Sequence, residues 1–592
     1  MKRILLLALV LISFTGFSQV KDWSTFYERS GKKETPRYKE TAEYCRRLAG
    51  ASSWVHFVSF GKTARGRDLP LLIVDKQGMT DPALIRKSGK MVLLVQACIH
   101  PGECEGKDAG LMLIRDLVIL KKYPALLDHI TFLFIPIFNL DGHERFGPYN
   151  RINQNGPEKM GWRVNANNLN LNRDYLKADT PEMQAWLKLF DKWDPDFFVD
   201  THTTDGADYQ YVLTYHMDYL GNMDAGLTGW INNNFLSGLS TGMDKAGLPI
   251  FPYVEFRNWH DPKSGLETGV SPPMLSQGYT GERNRPGLLI ETHMLKPYDQ
   301  RVSATYECLK ISLEILNKEY KELMQMNKKA DELVSTPGFR KTEFPLQYET
   351  VSTDSTMVNF MGIEYSQRKS DITGGTWFEY GNQKATFSIP FFNKVRPSVT
   401  VKLPEAYIIP AEWNTVIDRM ELHGARIVRL KKDTVLRVQC YRFVNPKWKQ
   451  TPYEGRHSMS NIEYTESTEE LSFPAGSAII SMNQPSARII ADALEPKGNG
   501  SFVSWGFFDA VFEQKEYAEN YVMEKMAAKM LAEDPALKTE FEKKKAADTA
   551  FTKDQDAILN WFFTKTPYWD KAKNLYPVGR IFDAGLVKTI SR

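Results

Sequence analysis

The first 300 residues alternate short apolar runs with segments of helical spacing, and this alternation constrains the fold more than any other feature. Residues 71–74 and 91–95 are apolar runs typical of buried strands, whereas residues 108–120 and 181–193 have helical spacing. Strands that alternate with helices predict an α/β domain with a mixed, mainly parallel sheet. In such domains, functional side chains gather where the parallel strands end.

The chain changes character after about residue 325, so we expect more than one folded region. Residues 328–345 are charged and contain a Ser-Thr-Pro-Gly stretch, which we interpret as a linker. Residues 346–490 contain many short β-like runs separated by turn residues, and residues 500–592 have helical spacing. We therefore expect an α/β domain over residues 20–325, followed by a β-rich accessory region and a helical C-terminal region.

Residues 1–19 have the pattern of an export signal peptide. Two basic residues precede an apolar run over residues 4–14, and the small residues Gly16 and Ser18 stand near a suitable cleavage point. The run is too short to cross a bilayer comfortably, although an uncleaved membrane anchor is the alternative. No later segment reaches about eighteen uninterrupted apolar residues, the length that a span requires. We expect an exported protein, periplasmic or secreted, without a stable membrane span.

Charge and cysteine usage argue against two classes of protein. The chain has 75 basic and 72 acidic residues and no basic block with interleaved aromatic residues, so a nucleic-acid partner is not expected. Its 5 cysteines cannot all pair within one exported chain, so a disulfide scaffold is not expected. Cys98 and Cys104 flank a candidate metal motif, but the apolar run around Cys98 favours packing of a small buried thiol.

His100 and Glu103 form an H-x-x-E pair shortly after the apolar run at residues 91–95. Imidazole nitrogen and carboxylate oxygen both suit Zn²⁺, and two such ligands leave room for a third ligand and a water. The Pro-Gly dipeptide between them favours a turn, which would let both side chains converge. The motif alone is weak, because a His and a Glu in a solvated loop have the same spacing.

His202 is the candidate third ligand, because it follows the apolar run at residues 197–199 and an Asp-Thr pair. Sites of α/β proteins form beyond such strands, although a capped loop histidine is the alternative. Glu291 follows another apolar run, residues 288–290, where a carboxylate is costly to bury without a task or a partner. Beside a metal-bound water it would act as general base, and a salt bridge to a nearby arginine is the alternative.

Two arginines are the remaining candidate site residues, and both could bind an anionic group. Asn172 and Arg173 are adjacent, and an arginine beside an amide side chain forms a fork that fits a carboxylate bidentately. Arg163 offers a second guanidinium earlier in the chain. Two arginines near a metal ion would bind an anionic group and stabilise a developing oxyanion. Taken separately, each is more typical of a surface arginine.

In this order the signals resemble the zinc carboxypeptidases of the carboxypeptidase A type. That family has H-x-x-E, then N-x-D-G, an arginine, an Asn-Arg pair, a histidine ligand and a glutamate base. In this chain the pattern occurs as His100-x-x-Glu103, Asn139-Leu140-Asp141-Gly142, Arg163, Asn172-Arg173, His202 and Glu291. The resemblance covers about residues 40–320. It implies an α/β sheet of about eight strands with helices on both faces.

The resemblance also implies an activity and a role for each of these residues. The chain would be a zinc metallocarboxypeptidase that hydrolyses the C-terminal residues of peptides and recognises their free terminal carboxylate. Glu291 would take a proton from zinc-bound water, and Arg163 would stabilise the tetrahedral oxyanion. The remaining implied roles are ligation of one zinc ion per chain by His100, Glu103 and His202, and binding of the substrate carboxylate by Asn172 and Arg173.

Two positions depart from the family pattern or leave it open. The family often has an aspartate two residues before its Asn-Arg pair, as partner of the first zinc histidine, and this chain has Asn170 there. An amide oxygen still accepts the imidazole N–H but without charge, so that histidine ligand would be less basic. For the substrate-binding tyrosine we expect Tyr279, which precedes Glu291, with Tyr253 as the alternative.

Other functions also fit parts of the sequence. Relatives with the same ligand pattern cleave N-acyl amino acids or trim bacterial cell-wall peptides, and the large accessory regions favour a substrate bulkier than an acyl amino acid. An inactive protein that binds a cell surface through its β-rich region is the alternative outside the enzymes. Inactive relatives usually lack a ligand or the base, and this chain has all of them.

Overall fold

The computed structural model describes residues 22–204 and 206–590. The predicted signal peptide, residues 1–19, lies outside the described residues. Across the part of the chain that is described, no helix has both the length and the apolar character needed to cross a membrane.

The helices and strands alternate over the first half of the described chain, and strands dominate the second half until the last helices. The strands are β1 Val55–Lys62, β2 Asp68–Val74, β3 Met91–Gln96, β4 Ile130–Ile135, β5 Phe197–Thr204, β6 Leu213–His216, β7 Ile250–Pro252, β8 Glu255–Phe256, β9 Leu266–Glu267, β10 Gly287–His293, β11 Glu343–Thr350, β12 Thr356–Lys369, β13 Thr376–Phe392, β14 Val395–Lys402, β15 Ala406–Ile409, β16 Ile427–Arg429, β17 Thr434–Trp448, β18 Met459–Phe473, β19 Ala478–Ser481 and β20 Gly579–Ile581. The α-helices are α1 Phe26–Arg29, α2 Tyr38–Ala51, α3 Pro82–Lys87, α4 Glu105–Val118, α5 Leu140–His143, α6 Pro181–Trp193, α7 Ala225–Trp230, α8 Ser237–Lys245, α9 Ser276–Glu282, α10 Tyr298–Val334, α11 Pro337–Arg340, α12 Asn414–Leu422, α13 Ala487–Leu494, α14 Asn520–Glu533, α15 Pro535–Ala547, α16 Gln555–Phe563 and α17 Ala584–Ile590.

Eight strands form one sheet in the order β1-β2-β4-β3-β5-β10-β6-β7. The four central strands, β4, β3, β5 and β10, run parallel, and the strands next to them, β2 on one side and β6 on the other, are antiparallel to them. The mixed, mainly parallel sheet predicted from the sequence is confirmed. Its central strands are buried along their whole length, as expected for strands that are covered on both faces.

Alternate side chains of the central strands enter two separate hydrophobic clusters, one on each face of the sheet. Leu93 and Val95 of β3 belong to the cluster that contains residues of α4 and α10. Val92 and Leu94 belong to the cluster that contains residues of α6. The second cluster also includes residues of the C-terminal half, by which we mean the chain from β11 onward, among them Tyr407. The α/β half and the C-terminal half therefore share a core.

Three central strands end at the same edge of the sheet, and this edge holds the polar residues that the sequence singles out. β3 leads into the loop that contains His100 and Glu103. His202 of β5 and Glu291 of β10 are directly paired in the parallel register. The topology thus brings residues that are distant in sequence to one place.

The C-terminal half contains a six-stranded sheet in the order β16-β19-β15-β20-β17-β18 and a helical region formed by α14, α15 and α16. The helical region has a hydrophobic cluster of its own. A smaller sheet joins β12 and β13 to β8 and β9, which belong to the first half of the chain. The predicted β-rich and helical regions are confirmed, whereas the domain boundaries drawn from the sequence stay predictions.

The linker predicted at residues 328–345 is wrong. α10 continues to Val334, and β11 begins at Glu343. Asn327, Ala330 and Val334 are buried and keep the helical spacing of the packed side of α10, while charged residues occupy the opposite side. A charged segment is therefore compatible with a long helix that packs along one face.

Candidate metal centre and substrate cavity

Three buried side chains, His100, Glu103 and His202, converge at the end of the central strands. His100 Nδ1 lies 3.2 Å from Glu103 Oε2, and His202 Nδ1 lies 3.1 Å from both of these atoms. Ligand atoms of a tetrahedral zinc site with bonds of roughly 2.0–2.1 Å lie roughly 3.3 Å apart. The three atoms thus form a triangle whose size and chemistry fit one Zn²⁺.

The loop after β3 brings His100 and Glu103 together through a tight turn, in which Glu103 N–H donates to His100 O at 2.9 Å. Thr203 N–H donates to Glu103 Oε2 at 3.0 Å and ties the loop to β5. α4 begins shortly after Glu103 and passes close to β5, since a Cβ on Gly106 would lie 1.9 Å from Thr201 Oγ1. Glycine permits this approach, which holds the two ligand-bearing segments against each other.

The outer nitrogen of each histidine has a partner. His100 Nε2 donates to Asn170 Oδ1 at 3.0 Å, as predicted for an amide in place of an aspartate. His202 Nε2 lies 2.9 Å from Asp200 Oδ2, a partner that the sequence analysis did not assign. These contacts leave Nδ1 of both rings as the nitrogens with a lone pair, which is the arrangement that a metal ion requires.

Burial and neighbouring charges shift the pKa values of the two candidate histidine ligands in opposite directions. Burial lowers the pKa of His100 to about 4, although the Glu103 carboxylate opposes this effect. Burial also disfavours the charged form of His202, but the Asp200 carboxylate outweighs it and raises the pKa of His202 well above its usual value. Burial of Glu103 is outweighed by His100 and Arg151, which hold its pKa well below the usual range. A buried carboxylate that stays ionised favours a cation beside it.

Two arginines contact the other oxygen of Glu103. Arg151 Nη1 lies 2.7 Å and Arg163 Nη1 lies 3.4 Å from Glu103 Oε1. Gly102 leaves the space that Arg151 needs, because a Cβ there would lie 2.7 Å from Arg151 Cγ. Arg151 cannot be singled out from the sequence, since an arginine in a polar loop is typical of any surface. The side chain of Arg163 is 45% exposed, so a substrate can reach it.

Glu291 is 9% exposed and lines the same cavity as the three candidate ligands. Burial raises the pKa of Glu291 to about 8, with His202 opposing and Glu103 adding to the effect. The neighbouring arginines, Arg283 and Arg285, pair with other carboxylates. A buried carboxylate without an ion-pair partner among the described residues is well suited to accept a proton.

A cavity of about 700 Å³ joins these groups to the predicted substrate-binding pair. Asn172 and Arg173 line it from a short 3₁₀ helix, Leu171–Arg173. Arg163 also lines it, as do the acidic residues Glu255 and Glu267, which the sequence analysis did not single out. The candidate ligands, the candidate base and the arginines therefore share one cavity.

Tyr279 does not line this cavity, so its predicted substrate-binding role is wrong. Its side chain is 0% exposed and packs against Trp186, and its hydroxyl lies 3.1 Å from His423 Nδ1. His423 belongs to the C-terminal half, so local sequence gives no sign of this packing. Tyr253, the alternative, lines the cavity, and its hydroxyl accepts from Thr204 Oγ1 at 3.4 Å.

A second group of potential ligand atoms lies next to this centre and is formed by Cys98, Cys104 and His143. All three are buried, and Cys98 packs in the hydrophobic core. Both ring nitrogens of His143 have partners, Lys107 Nζ at 3.2 Å and Glu144 Oε1 at 3.1 Å. An ammonium group at that distance disfavours a second cation, so we attribute this group to packing.

Known carboxypeptidases are similar to this chain over most of its length. The family model described as zinc carboxypeptidase matches residues 41–222. Carboxypeptidase 2 of Trichophyton rubrum is 25% identical over 487 residues, which cover 80% of this chain and 84% of that protein. Carboxypeptidase 2 of Trichophyton equinum is 25% identical over 488 residues, with the same two coverages of 80% and 84%. These matches extend beyond the α/β half of the chain.

Solved structures show a likeness over about half of the chain. A metallo-carboxypeptidase of Pseudomonas aeruginosa, in complex with (2-guanidinoethylmercapto)succinic acid, is 18% identical with a TM-score of 0.36. The match covers 48% of this chain and 69% of that chain.

Proposed function

We propose that the chain is a metallocarboxypeptidase of the zinc carboxypeptidase family and that it releases single C-terminal residues from peptides in a zinc-dependent reaction. The observation that supports the proposal most directly is the shared cavity, in which a candidate zinc site, a buried carboxylate and an Asn-Arg pair meet. Each of these three parts serves one requirement of hydrolysis at a free C-terminus.

His100, Glu103 and His202 would hold one Zn²⁺ per chain. When bound, zinc supplies Lewis acidity, which polarises the scissile carbonyl and makes an attacking water more acidic. The outer partners of the two imidazoles, Asn170 and Asp200, hold the rings with Nδ1 toward the site. The backbone N–H of the residue after His202 holds the Glu103 carboxylate in the same way.

Glu291 would act as the general base, which accepts a proton from the attacking water and returns it to the leaving amine. Its position supports this role, because it lines the cavity beside His202 in the paired register of β5 and β10. Burial raises its pKa to about 8, so an accepted proton is held more firmly than on an exposed glutamate and can be passed on to the leaving amine.

Arg163 would stabilise the negative charge that develops on the carbonyl oxygen, since its guanidinium lies beside the ligand Glu103. Asn172 and Arg173 would bind the terminal carboxylate of the substrate, because a planar guanidinium matches a carboxylate bidentately. A peptide held by its terminal carboxylate presents its last peptide bond to the same cavity. The enzyme would therefore remove one residue at a time.

The test uses the zinc-loaded protein and a peptide library whose members have free or amidated C-termini. We expect mass spectrometry to show release of single C-terminal residues from the free peptides and far slower release from the amidated ones. Glu291→Gln should lower kcat by roughly 10²–10⁴-fold while the zinc content stays unchanged. Glu267→Gln, which changes another carboxylate of the cavity, is the matched control and should keep kcat near the wild-type value. Full activity of zinc-loaded Glu291→Gln would contradict the mechanism.

Cleavage of N-acyl amino acids or cell-wall peptides in place of ordinary peptides would assign one of the alternative substrate classes to the same centre.

Export to the periplasm or the medium is also part of the proposal, and it rests on residues 1–19 alone. Cell fractionation with N-terminal sequencing of the mature chain tests it. A cytoplasmic chain that still begins at Met1 would contradict it.

A further inference from the structure

The hairpin of β17 and β18 ends in a connection, residues 449–458, that reaches the α/β half; we call it the hairpin tip. Tyr453 N–H donates to Arg456 O at 2.8 Å, and Arg456 N–H donates to Tyr453 O at 3.1 Å, so the chain reverses between them. Glu454 and Gly455 have φ values of 49° and 76°, as in a type I′ turn. Strain at a non-glycine residue persists only where surrounding contacts hold it, which makes the contacts of Glu454 significant.

Tyr453 contacts the guanidinium of Arg173. Arg173 Nε donates to Tyr453 Oη at 2.9 Å, and Arg173 Nη1 donates to Asn172 O at 2.6 Å. Among the described residues, Nη2 of Arg173 has no hydrogen-bond partner. Tyr453 itself stacks on Trp505, with ring centroids 6.1 Å apart and planes inclined by 13°. These contacts fix the plane of the guanidinium, and that plane determines whether a carboxylate can bind bidentately.

Glu454 contacts the backbone just before the same pair. Asn170 N–H donates to Glu454 Oε2 at 2.8 Å. Asn170 Oδ1 in turn accepts from His100 Nε2 and from Asn172 N–H, each at 3.0 Å. A carboxylate of the C-terminal half thus fixes the residue that links the candidate zinc centre to the Asn-Arg pair.

The hairpin tip is also anchored independently of these two contacts. Arg456 Nε and Nη2 donate to the two oxygens of Asp179 at 2.7 and 2.8 Å, and Arg456 Nη1 donates to Trp505 O at 3.1 Å. Asp179 lies just before α6, so the tip is fastened to the α/β half at a second point. Removal of one hydroxyl or one carboxylate from the tip should therefore leave the tip in place.

The segment that bears Asn172 and Arg173 is too short to define their geometry alone. It is a 3₁₀ helix of 3 residues, and Asn172 departs from helical geometry with a ψ of 28°. Such short helices have poor hydrogen-bond geometry. Contacts from outside the segment therefore help to determine how firmly Asn172 and Arg173 can hold the terminal carboxylate.

We propose that Tyr453 and Glu454 are positioning residues of the substrate-carboxylate subsite, so that the C-terminal half completes the active site. The proposal rests on the proposed function, because it takes Arg173 as the residue that binds the terminal carboxylate. Tyr453 sets the plane of Arg173, and Glu454 sets the path of the backbone that precedes it. Neither residue touches the reacting atoms.

The first variant is Tyr453→Phe, which removes one hydroxyl and keeps the ring that stacks on Trp505. For peptides with a free C-terminus, we expect KM to rise roughly three- to tenfold, which corresponds to one lost hydrogen bond. We expect kcat to stay near the wild-type value, because the terminal carboxylate is bound alike in the ground state and the transition state. The preference for free over amidated peptides should fall by the same factor as KM rises.

A double-mutant cycle separates positioning from a general effect on structure. In an Arg173→Lys background the guanidinium is absent, so Tyr453→Phe should have little further effect on KM. Tyr517→Phe, which changes a tyrosine of the C-terminal half that is 74% exposed, is the matched control and should leave KM unchanged.

Glu454→Gln and Glu454→Ala form a second, graded pair that stays informative if Tyr453→Phe does not fold. Glutamine keeps an acceptor oxygen for Asn170 N–H and should stay close to wild type, whereas alanine should raise KM. Unchanged KM and unchanged preference for free C-termini in folded Tyr453→Phe and Glu454→Ala would overturn the inference and leave the proposed function standing. A wild-type enzyme without any preference for free C-termini would instead overturn the proposed function and the inference together.

Discussion

His100 and His202 both have a partner at Nε2, but the partner is an amide in one case and a carboxylate in the other. A carboxylate makes an imidazole a more basic ligand and fixes its orientation more firmly than a neutral amide does. We therefore expect Asp200 to contribute more to metal affinity than Asn170, although the sequence analysis considered only Asn170.

Asp200→Asn should weaken zinc binding by about 10- to 100-fold, because it removes the charge behind His202 and keeps the shape of the side chain. Competition with a chromophoric chelator at fixed pH measures this affinity directly. Asp208→Asn is the matched control, since Asp208 contacts His293, a histidine outside the centre, at 3.2 Å. Equal zinc affinities of Asp200→Asn and the wild type would contradict the role given to this carboxylate.

Local sequence is enough to predict site residues that directly follow an apolar run. His202 and Glu291 each come after an apolar run, and the parallel topology brings both to one edge of the sheet. Arg151 and Tyr453 lie in polar loops, and their contacts with the site depend on how distant segments meet. Tyr279 shows the converse, because its distance from Glu291 along the chain suited a substrate role while packing in the C-terminal half buries it.

At the scale of elements, the succession of strands and helices in the first half follows from periodicity, since each period is a local property. The order of strands in the sheets does not follow from it. β8 and β9 form a sheet with β13, which lies more than a hundred residues further along the chain. At the end of α10 the sequence predicts a linker because many residues there are charged, but these residues form the exposed side of the helix.

Asp75 joins three strands of the main sheet at the end remote from the candidate site. It follows β2 and accepts from Lys90 Nζ, just before β3, at 2.7 Å and from Thr131 Oγ1 of β4 at 2.8 Å. Burial alone would raise the pKa of Asp75, but these hydrogen bonds outweigh it and lower the pKa below its usual value. Because the folded-state pKa is depressed, the stabilisation is present above the unfolded-state pKa of about 4 and is lost as the pH falls through the folded-state value.

Asp75→Asn should therefore lower the free energy of unfolding at pH 7 by about 3 kcal/mol, because it leaves the buried Lys90 ammonium without a counter-charge. The difference from wild type should begin to shrink below about pH 4, where Asp75 of the unfolded wild-type chain takes up a proton that folding must release, and it should be lost below the folded-state pKa. Denaturant unfolding at several pH values measures both. Asp68→Asn, which breaks an exposed ion pair with Lys62, is the control and should have no resolvable effect. A difference that stays constant down to pH 2 would contradict the linkage.

At the scale of the whole molecule, the α/β half and the six-stranded sheet region share one hydrophobic cluster. Trp186 and Phe190 of α6 belong to the same cluster as Tyr407 and Ile480 of the C-terminal half. A buried ion pair also crosses the boundary, since Arg488 Nε lies 3.1 Å from Glu282 Oε2. Separation of the halves would expose apolar surface that neither half can cover alone.

We therefore expect the two halves to unfold in one cooperative calorimetric transition and a fragment that ends before β11 to be insoluble or unfolded. The helical region of α14 to α16 has a separate hydrophobic cluster, so we expect it to unfold in a second transition with a different midpoint temperature. Scanning calorimetry of the full chain, together with expression of residues 22–342, tests both points. A soluble fragment with wild-type activity would contradict the shared core and the role of the hairpin tip alike.

The contacts of the hairpin tip also constrain how this gene can evolve. Asn170 and Arg173 meet Glu454 and Tyr453, so one functional unit is encoded in two distant stretches of the chain. Recombination that exchanged only the first stretch with a relative would unite an Asn-Arg segment with a tip that does not fit it. Substitutions at these two pairs of positions should therefore be inherited together. Lineages that discard the β-rich region should lose or rebuild their recognition of chain ends.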